Sequence, residues 1–356
     1  MSARIIPDSE NLTTPDPHQG DFSGYDIIGD LHGCSEALER LLVKLGYSKK
    51  NGAYCHPDRQ VIFVGDLVDR GPHIREVTWL VHDMVQAGAA QVVMGNHEYN
   101  AIAYMTPRKD LSDHYLREHN ARHTRIMKET LDQFAGYEDE WDYLIKWFLT
   151  MPLFLELPGF RVVHACWDQA LIDEFKHWSQ SKGLKGNCIN EDFLRASADL
   201  SSFEFKVMDR LLRGMNLKLP DGQSIEGKDG FVRQFFRVKF WSNDPDTYQD
   251  IVFQPDPLPD HLATKQISDN DRSLLINYDS KAQPLFFGHY WRSGEPERIK
   301  PNLTCLDYSA VKYGKLVAYR FDGETEIDNS KFEYIDVTPE EFPLEDAQGQ
   351  DDLSRV

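Results

Sequence analysis

Three short segments concentrate the side chains able to do chemistry: Gly29-Asp30-Leu31-His32-Gly33, Gly65-Asp66-Leu67-Val68-Asp69-Arg70-Gly71 and Gly95-Asn96-His97-Glu98. Asp30 and His32 are two residues apart, so on an extended strand end their side chains point to one side. One carboxylate and one imidazole suit a borderline divalent ion such as Mn2+, Fe2+ or Zn2+. Asp66 has two oxygens and can bridge two ions, and Asn96 offers a neutral amide oxygen. His164 and His289 each follow an apolar run, as the other candidates do. Two divalent ions against the carboxylates of Asp30 and Asp66 leave the site net positive, which suits a phosphate anion. Two ions about 3.5–4 Å apart can hold a bridging hydroxide for in-line attack. His97, adjacent to Asn96, is placed to give a proton to the leaving oxygen. Asp69 can accept from that imidazole and fix its orientation. The planar fork of Arg70 can clamp two phosphate oxygens.

Such residues need a scaffold that brings them to one edge. The apolar runs at 25–28, 61–64 and 92–94 read as buried strands, each ending at one of the three segments. Open α/β sheets build their sites at such strand ends. Ser35 is placed to cap a helix with apolar positions Leu38, Leu41, Leu42 and Leu45. Ile74, Val77, Val81, Met84 and Val85 repeat with helical period before Gly88. Residues 100–150 read as polar helices whose aromatics, among them Tyr104, Tyr115, Trp141 and Trp147, form a packing face. Further strands are expected at 161–163, 285–287, 304–306 and 316–319. The domain expectation is a loose leader over 1–22, one domain over 23–322 with an elaboration at about 168–283, and an acidic tail over 323–356.

The chain has 356 residues, 41% of them hydrophobic, enough for one large domain. Its net charge of -19 repels nucleic-acid phosphate and anionic lipid, so neither is expected as a partner. The most apolar stretch, 147–160, is too short to span a bilayer. Five scattered cysteines without a CxxC fit reduced thiols in the cytoplasm.

The three segments resemble the GDxHG, GDxxDRG and GNHE signatures of the calcineurin-like metallophosphoesterases, and more closely those of the phosphoprotein phosphatase branch. The resemblance covers about residues 25–166 and 284–320. It implies a four-layer α/β fold, a two-sheet β-sandwich flanked by helices, with a dinuclear site at the strand ends. It implies that Asp30, His32 and Asp66 hold one metal ion and that Asp66, Asn96, His164 and His289 hold the other. His97 would be the general acid, Asp69 its partner, and Arg70 and Asn96 substrate contacts. The family's further phosphate-binding arginine points to Arg237, with Arg233 next. Two departures stand out. His164-Ala165-Cys166 replaces His-Gly-Gly, with Cys166 read as a space-filling thiol. The segment from Cys305 to Ala318 is similar to bacterial members, including diadenosine tetraphosphatases.

The expectation is therefore a hydrolase carrying two divalent ions, Mn2+ first with Fe or Zn as alternatives. The leading reading is a serine/threonine protein phosphatase-like phosphoesterase acting on a phosphorylated protein. The alternative is a hydrolase of diadenosine tetraphosphate or another nucleotide. A second alternative is a non-catalytic, metal-dependent regulatory protein.

Overall fold

The computed structural model describes residues 22–339 except 185, 227–231 and 255–257, together with Arg4, Ile6, Pro7 and Leu12. Most of the expected leader and the tail beyond 339 lie outside the described residues. Two mixed sheets pack face to face. The first has six strands: Asp307–Tyr308, Lys315–Phe321, Gly24–Ile28, Arg59–Phe63 and Ala90–Val92 in spatial order, with Phe332–Asp336 also paired to Lys315–Phe321. Gly24–Ile28, Arg59–Phe63 and Ala90–Val92 run parallel, so their C-terminal ends share one edge. The second sheet orders Leu303–Cys305, Leu285–Phe287, Phe160–Val163 and Phe154–Leu157. Its first three strands are parallel and Phe154–Leu157 is antiparallel.

Between the sheets lies an apolar layer of Ile27, Ile62, Val64, Val93, Val162, Phe286 and Tyr319. Residues buried on both faces give the continuous apolar runs legible in the sequence. A larger core packs helices Ser35–Lys44, Ile74–Gln86, Ala121–Phe134 and Glu138–Phe148 on the outer side of the sheets. The α/β class and the helix-flanked sandwich stand as expected. Tyr104, Trp141 and Trp147 are buried, in agreement with a packing face.

Several boundaries differ from the sequence reading. Ser35 is the first residue of its helix, and Cys34 takes the cap position, its side chain making no capping bond to the helix. The strand expected at 92–94 is Ala90–Val92. Val93 then donates to the Phe63 carbonyl, while Met94 donates to Pro152 beside the second sheet, so the chain leaves the first sheet there. Phe332–Asp336 lies beyond the boundary expected at 322 and forms part of the first sheet, paired from Tyr319 to Lys315. Arg4, from the leader, pairs with Asp83 and sits over Trp79 at 4.6 Å.

The stretch 168–283 contributes helices Gln169–Ser181, Glu191–Ala196 and Phe203–Arg213, then a three-stranded antiparallel sheet of Met215–Lys218, Phe235–Val238 and Val252–Gln254. That sheet has its own small core around Leu217, Phe236, Val238, Tyr248 and Ile251. Among the described residues, no helix is long and apolar enough to cross a membrane.

Candidate functional site

Five strand ends converge on a solvent-open cleft. Its walls include Asp30, His32, Asp66, Arg70, Asn96, His97 and His289. Ligand atoms of His32, Asp66 and His97 lie within 4.8 Å of one another, and so do those of Asp66, His164 and His289. Asp66 belongs to both sets. Such sharing is what a carboxylate bridging two cations requires.

The backbone turns sharply to present these groups. His32, Asp66, Asp69, Arg70 and His289 all have positive φ, from 39° to 71°. Side chains other than glycine seldom adopt that region, and strain there concentrates at functional sites. The loops are locked by dense hydrogen bonding. Glu98 Oε2 accepts from the N–H groups of Asp66 at 2.8 Å and Gly95 at 2.9 Å, and Oε1 accepts from Leu67 at 2.7 Å. One buried carboxylate thus ties the second segment to the third. Burial, with Asp66 nearby, pushes Glu98 up to about 7. A Cβ at Gly288 would collide with Asp30 Oδ1, so only glycine lets the last histidine segment pass so close. Asp30 in turn accepts from the His289 N–H at 3.1 Å.

The imidazoles are oriented from behind. His32 Nδ1 donates to the Val68 carbonyl at 2.9 Å and His164 Nδ1 to the Val64 carbonyl at 2.7 Å. Each bond directs Nε2 toward the site. His164 Nε2 faces Asn96 Oδ1 at 3.0 Å and Asp66 Oδ1 at 3.4 Å. His32 Nε2 lies 3.5 Å from Asp66 Oδ2. His289 Nε2 is buried with no hydrogen-bond partner. Imidazole nitrogens, an amide oxygen and carboxyl oxygens therefore converge, and this ligand set fits divalent cations of the Mn, Fe or Zn type.

The electrostatics agree. Burial, then Asp307 and Asp66, push the Asp30 carboxyl well above its usual range. Burial opposes ionisation of Asp66, but His164, His97 and His32 hold it well below the usual range. Burial would lower His164, yet Asp66 and Asp30 bring it up to about 10. Burial and the Arg237 charge press His289 well down. The two carboxyls are thus set apart, Asp30 held toward its neutral form chiefly by burial and Asp66 kept ionised by the surrounding histidines.

His97 stands at the edge of the first set. Its Nδ1 lies 2.5 Å from Asp69 Oδ2, and its Nε2 lies 3.0 Å from Arg70 Nη2. Arginine can only donate, so Nε2 accepts here and Nδ1–H donates to Asp69. Asp69 is itself fixed: Thr130 Oγ1 donates to its Oδ1 at 2.5 Å and accepts from its N–H at 3.0 Å.

The expected ligand and acid–base residues are thus brought together, with two qualifications of place. Asp30 lines the cleft but is not in either close set of ligand atoms; His97 occupies that position in the first. Arg237 is buried, does not line the cleft, and lies 5.9 Å from the Tyr290 ring. Its Nε and Nη1 have no hydrogen-bond partner. Arg233 does not line the cleft either. Cys166 is fully buried, and burial pushes its thiol up to about 12, consistent with a space-filling role. Sequence reasoning missed Glu98 as a clamp, Thr130, Asn100, Arg117 and the cleft-lining Asp307 and Trp291. For Asp307 a signal was present, since it follows the strand Leu303–Cys305 as the ligands follow theirs.

Comparison with known proteins agrees with this geometry. The family described as calcineurin-like phosphoesterase matches residues 25–290. A bis(5'-nucleosyl)-tetraphosphatase PrpE [asymmetrical] of Oceanobacillus iheyensis is 38% identical over 141 residues, 39% of this chain and 54% of that protein. The protein of the same name from Halalkalibacterium halodurans is 47% identical over 115 residues, 31% of this chain and 47% of that protein. The chain spans about half the length of these curated relatives. Among solved structures, a cold-active protein-tyrosine phosphatase of a psychrophile Shewanella aligns with a TM-score of 0.48 at 13% identity, covering 94% of this chain and 85% of that one.

Proposed function

Because the chain belongs to the calcineurin-like phosphoesterase family and has the paired ligand sets of a metallophosphoesterase, we propose that it hydrolyses a nucleotide of the dinucleoside tetraphosphate type. The observation that carries the chemistry is the pair of ligand sets sharing Asp66 beside the His97–Asp69 pair. The substrate class is supported by the tetraphosphatases to which the chain is similar. Trp291, 40% exposed and lining the cleft, offers a face on which a base can stack.

In this reading Asp30, His32 and Asp66 hold one divalent ion, and Asp66, Asn96, His164 and His289 the other, with Mn2+ as the first choice. When bound, the ions supply Lewis acidity toward the phosphoryl group and an acidified water. Arg70 turns its fork from His97 Nε2 to the phosphate oxygens of the incoming substrate. That exchange leaves Nε2 free to carry the proton that the leaving oxygen takes. Asp69, held by Thr130, keeps Nδ1–H pointed away from the reaction and stabilises the protonated ring. Arg237 serves as a charge behind His289 and Tyr290. The five cysteines, none joined in a disulfide, support a reducing, cytoplasmic setting.

The test is a substrate panel on the purified, metal-analysed protein. Diadenosine tetraphosphate, a phosphoserine peptide and p-nitrophenyl phosphate are each assayed with Mn2+. Turnover of the tetraphosphate well above the phosphopeptide is expected. Turnover of the phosphopeptide alone would restore the protein phosphatase reading. Absence of any hydrolysis with two ions bound would favour the regulatory one.

A further inference from the structure

One wall of the cleft presents a cation, Arg117, for which the chemistry above has no use. Arg117 and Asn100 line it together with Arg70. Arg117 comes from the segment after helix Asn96–Met105, and its Nε is buried with no hydrogen-bond partner. Arg213, at the end of helix Phe203–Arg213, donates from Nη2 to Asn100 Oδ1 at 2.8 Å, while its own Nε is buried and unpartnered. With Oδ1 taken, the group that Asn100 has left for the cleft is its amide NH2. Beside Arg70 this wall therefore offers two further donor groups, the Arg117 guanidinium and the Asn100 amide.

Compensation for that charge is thin. Burial and the nearby Arg213 charge push Arg117 down to about 10. The carboxylate acting most on Arg117 is Asp69. Both Asp69 oxygens are already engaged, by His97 and by Thr130. Arg213 has Asp209 at 3.6 Å. A buried guanidinium with an unmade bond is costly unless an anion completes it. The cleft holds ample room for one.

We propose that Arg117, with Asn100 fixed by Arg213, forms a second anion subsite that holds the phosphate adjoining the one under attack at Arg70. The substrate class is then a phosphate chain rather than a lone ester. This deepens the nucleotide reading and rests on it for the identity of the substrate, but the subsite itself can be probed with inorganic groups alone.

The experiment titrates the purified, metal-loaded protein calorimetrically with orthophosphate and with methylenediphosphonate, whose P–C–P link resists hydrolysis. Free metal is held constant. The wild type is expected to bind the diphosphonate at least about tenfold tighter than orthophosphate, the size of a charge-assisted contact. Arg117→Gln is expected to bring the two affinities within about threefold by weakening the diphosphonate alone. Arg117→Lys, which keeps the charge, is expected to recover part of the difference. Unchanged orthophosphate binding reports that the variant is folded. A wild-type ratio near one, or a ratio that Arg117→Gln and Arg117→Lys leave intact, would overturn the subsite. If Arg117→Gln fails to fold, the lysine variant decides: a ratio equal to the wild type's would overturn the Arg117 contact, and a ratio lowered part-way would support it. Failure to hydrolyse diadenosine tetraphosphate while the ratio responds to Arg117 would reject the nucleotide and keep the subsite.

Discussion

The two flanks of the cleft are built on opposite terms. On the first, the loops after Gly24–Ile28, Arg59–Phe63 and Ala90–Val92 are saturated with hydrogen bonds: Glu98 closes one on another, and Thr130 and His97 occupy both oxygens of Asp69. On the second, the stretch 168–283 backs the cleft through the bond from Arg213 to Asn100 without lining it among the described residues; it has a small sheet with a separate core, and its arginines at 213 and 237 keep buried nitrogens without partners. A fully bonded flank is rigid and suited to holding cations at fixed spacing. A region with unmade donors behind the wall bears on the cleft through the side chain it holds, Asn100. The contrast separates the loops that present the candidate ligands from the support behind them.

Substitutions on each flank put that contrast at risk. Asp66→Asn should have the largest effect, because it removes the charge shared by both ligand sets. Metal analysis should fall from about two ions per chain toward none, and retention of both ions would remove the bridging role. His97→Ala should lower kcat by about 10²–10⁴-fold while metal content stays near two. Full activity would deny it the proton. Thr130→Val should leave Asp69 less well held and lower kcat by roughly tenfold, the equivalent of one hydrogen bond. If kcat is unchanged while the thermal midpoint drops, Thr130 serves stability alone. On the other flank, Phe235→Ser at a half-exposed strand position should shift stability by less than about 0.5 kcal/mol. A large loss of stability there would mean that the small sheet is covered by more than its own core.

The ligands were legible because each stands directly after an apolar run, so local pattern alone places it at a strand end. His164 and His289 could be found the same way, far as they are from the other segments. Glu98, Thr130 and Arg117 were not. Thr130 touches Asp69 across 61 residues of chain, and on helix Ala121–Phe134 it looks like any other helical threonine. Glu98 sits in Gly95-Asn96-His97-Glu98, but its role depends on the loop at Asp66 folding back over the start of helix Asn96–Met105. Arg237, expected as a phosphate contact from its strand, lies beside Tyr290 and does not line the cleft, since strand alternation cannot say which face of an isolated small sheet meets the site. The extension of the first sheet to Asp336 was hidden by acidic composition, which describes the exposed side of Phe332–Asp336 and not its pairing.

The left-handed backbone at His32, Asp66, Asp69, Arg70 and His289 bears on how this protein can adapt to heat. At about 1–2 kcal/mol per residue, five such positions amount to roughly 5–10 kcal/mol, as much as the net stability of many domains. Glycine at any of them would relax the turn and delete the group it presents. Random change that favours stability is therefore blocked at these loops, and a descendant of this chain living at higher temperature must gain its margin in the helices and outer strands instead.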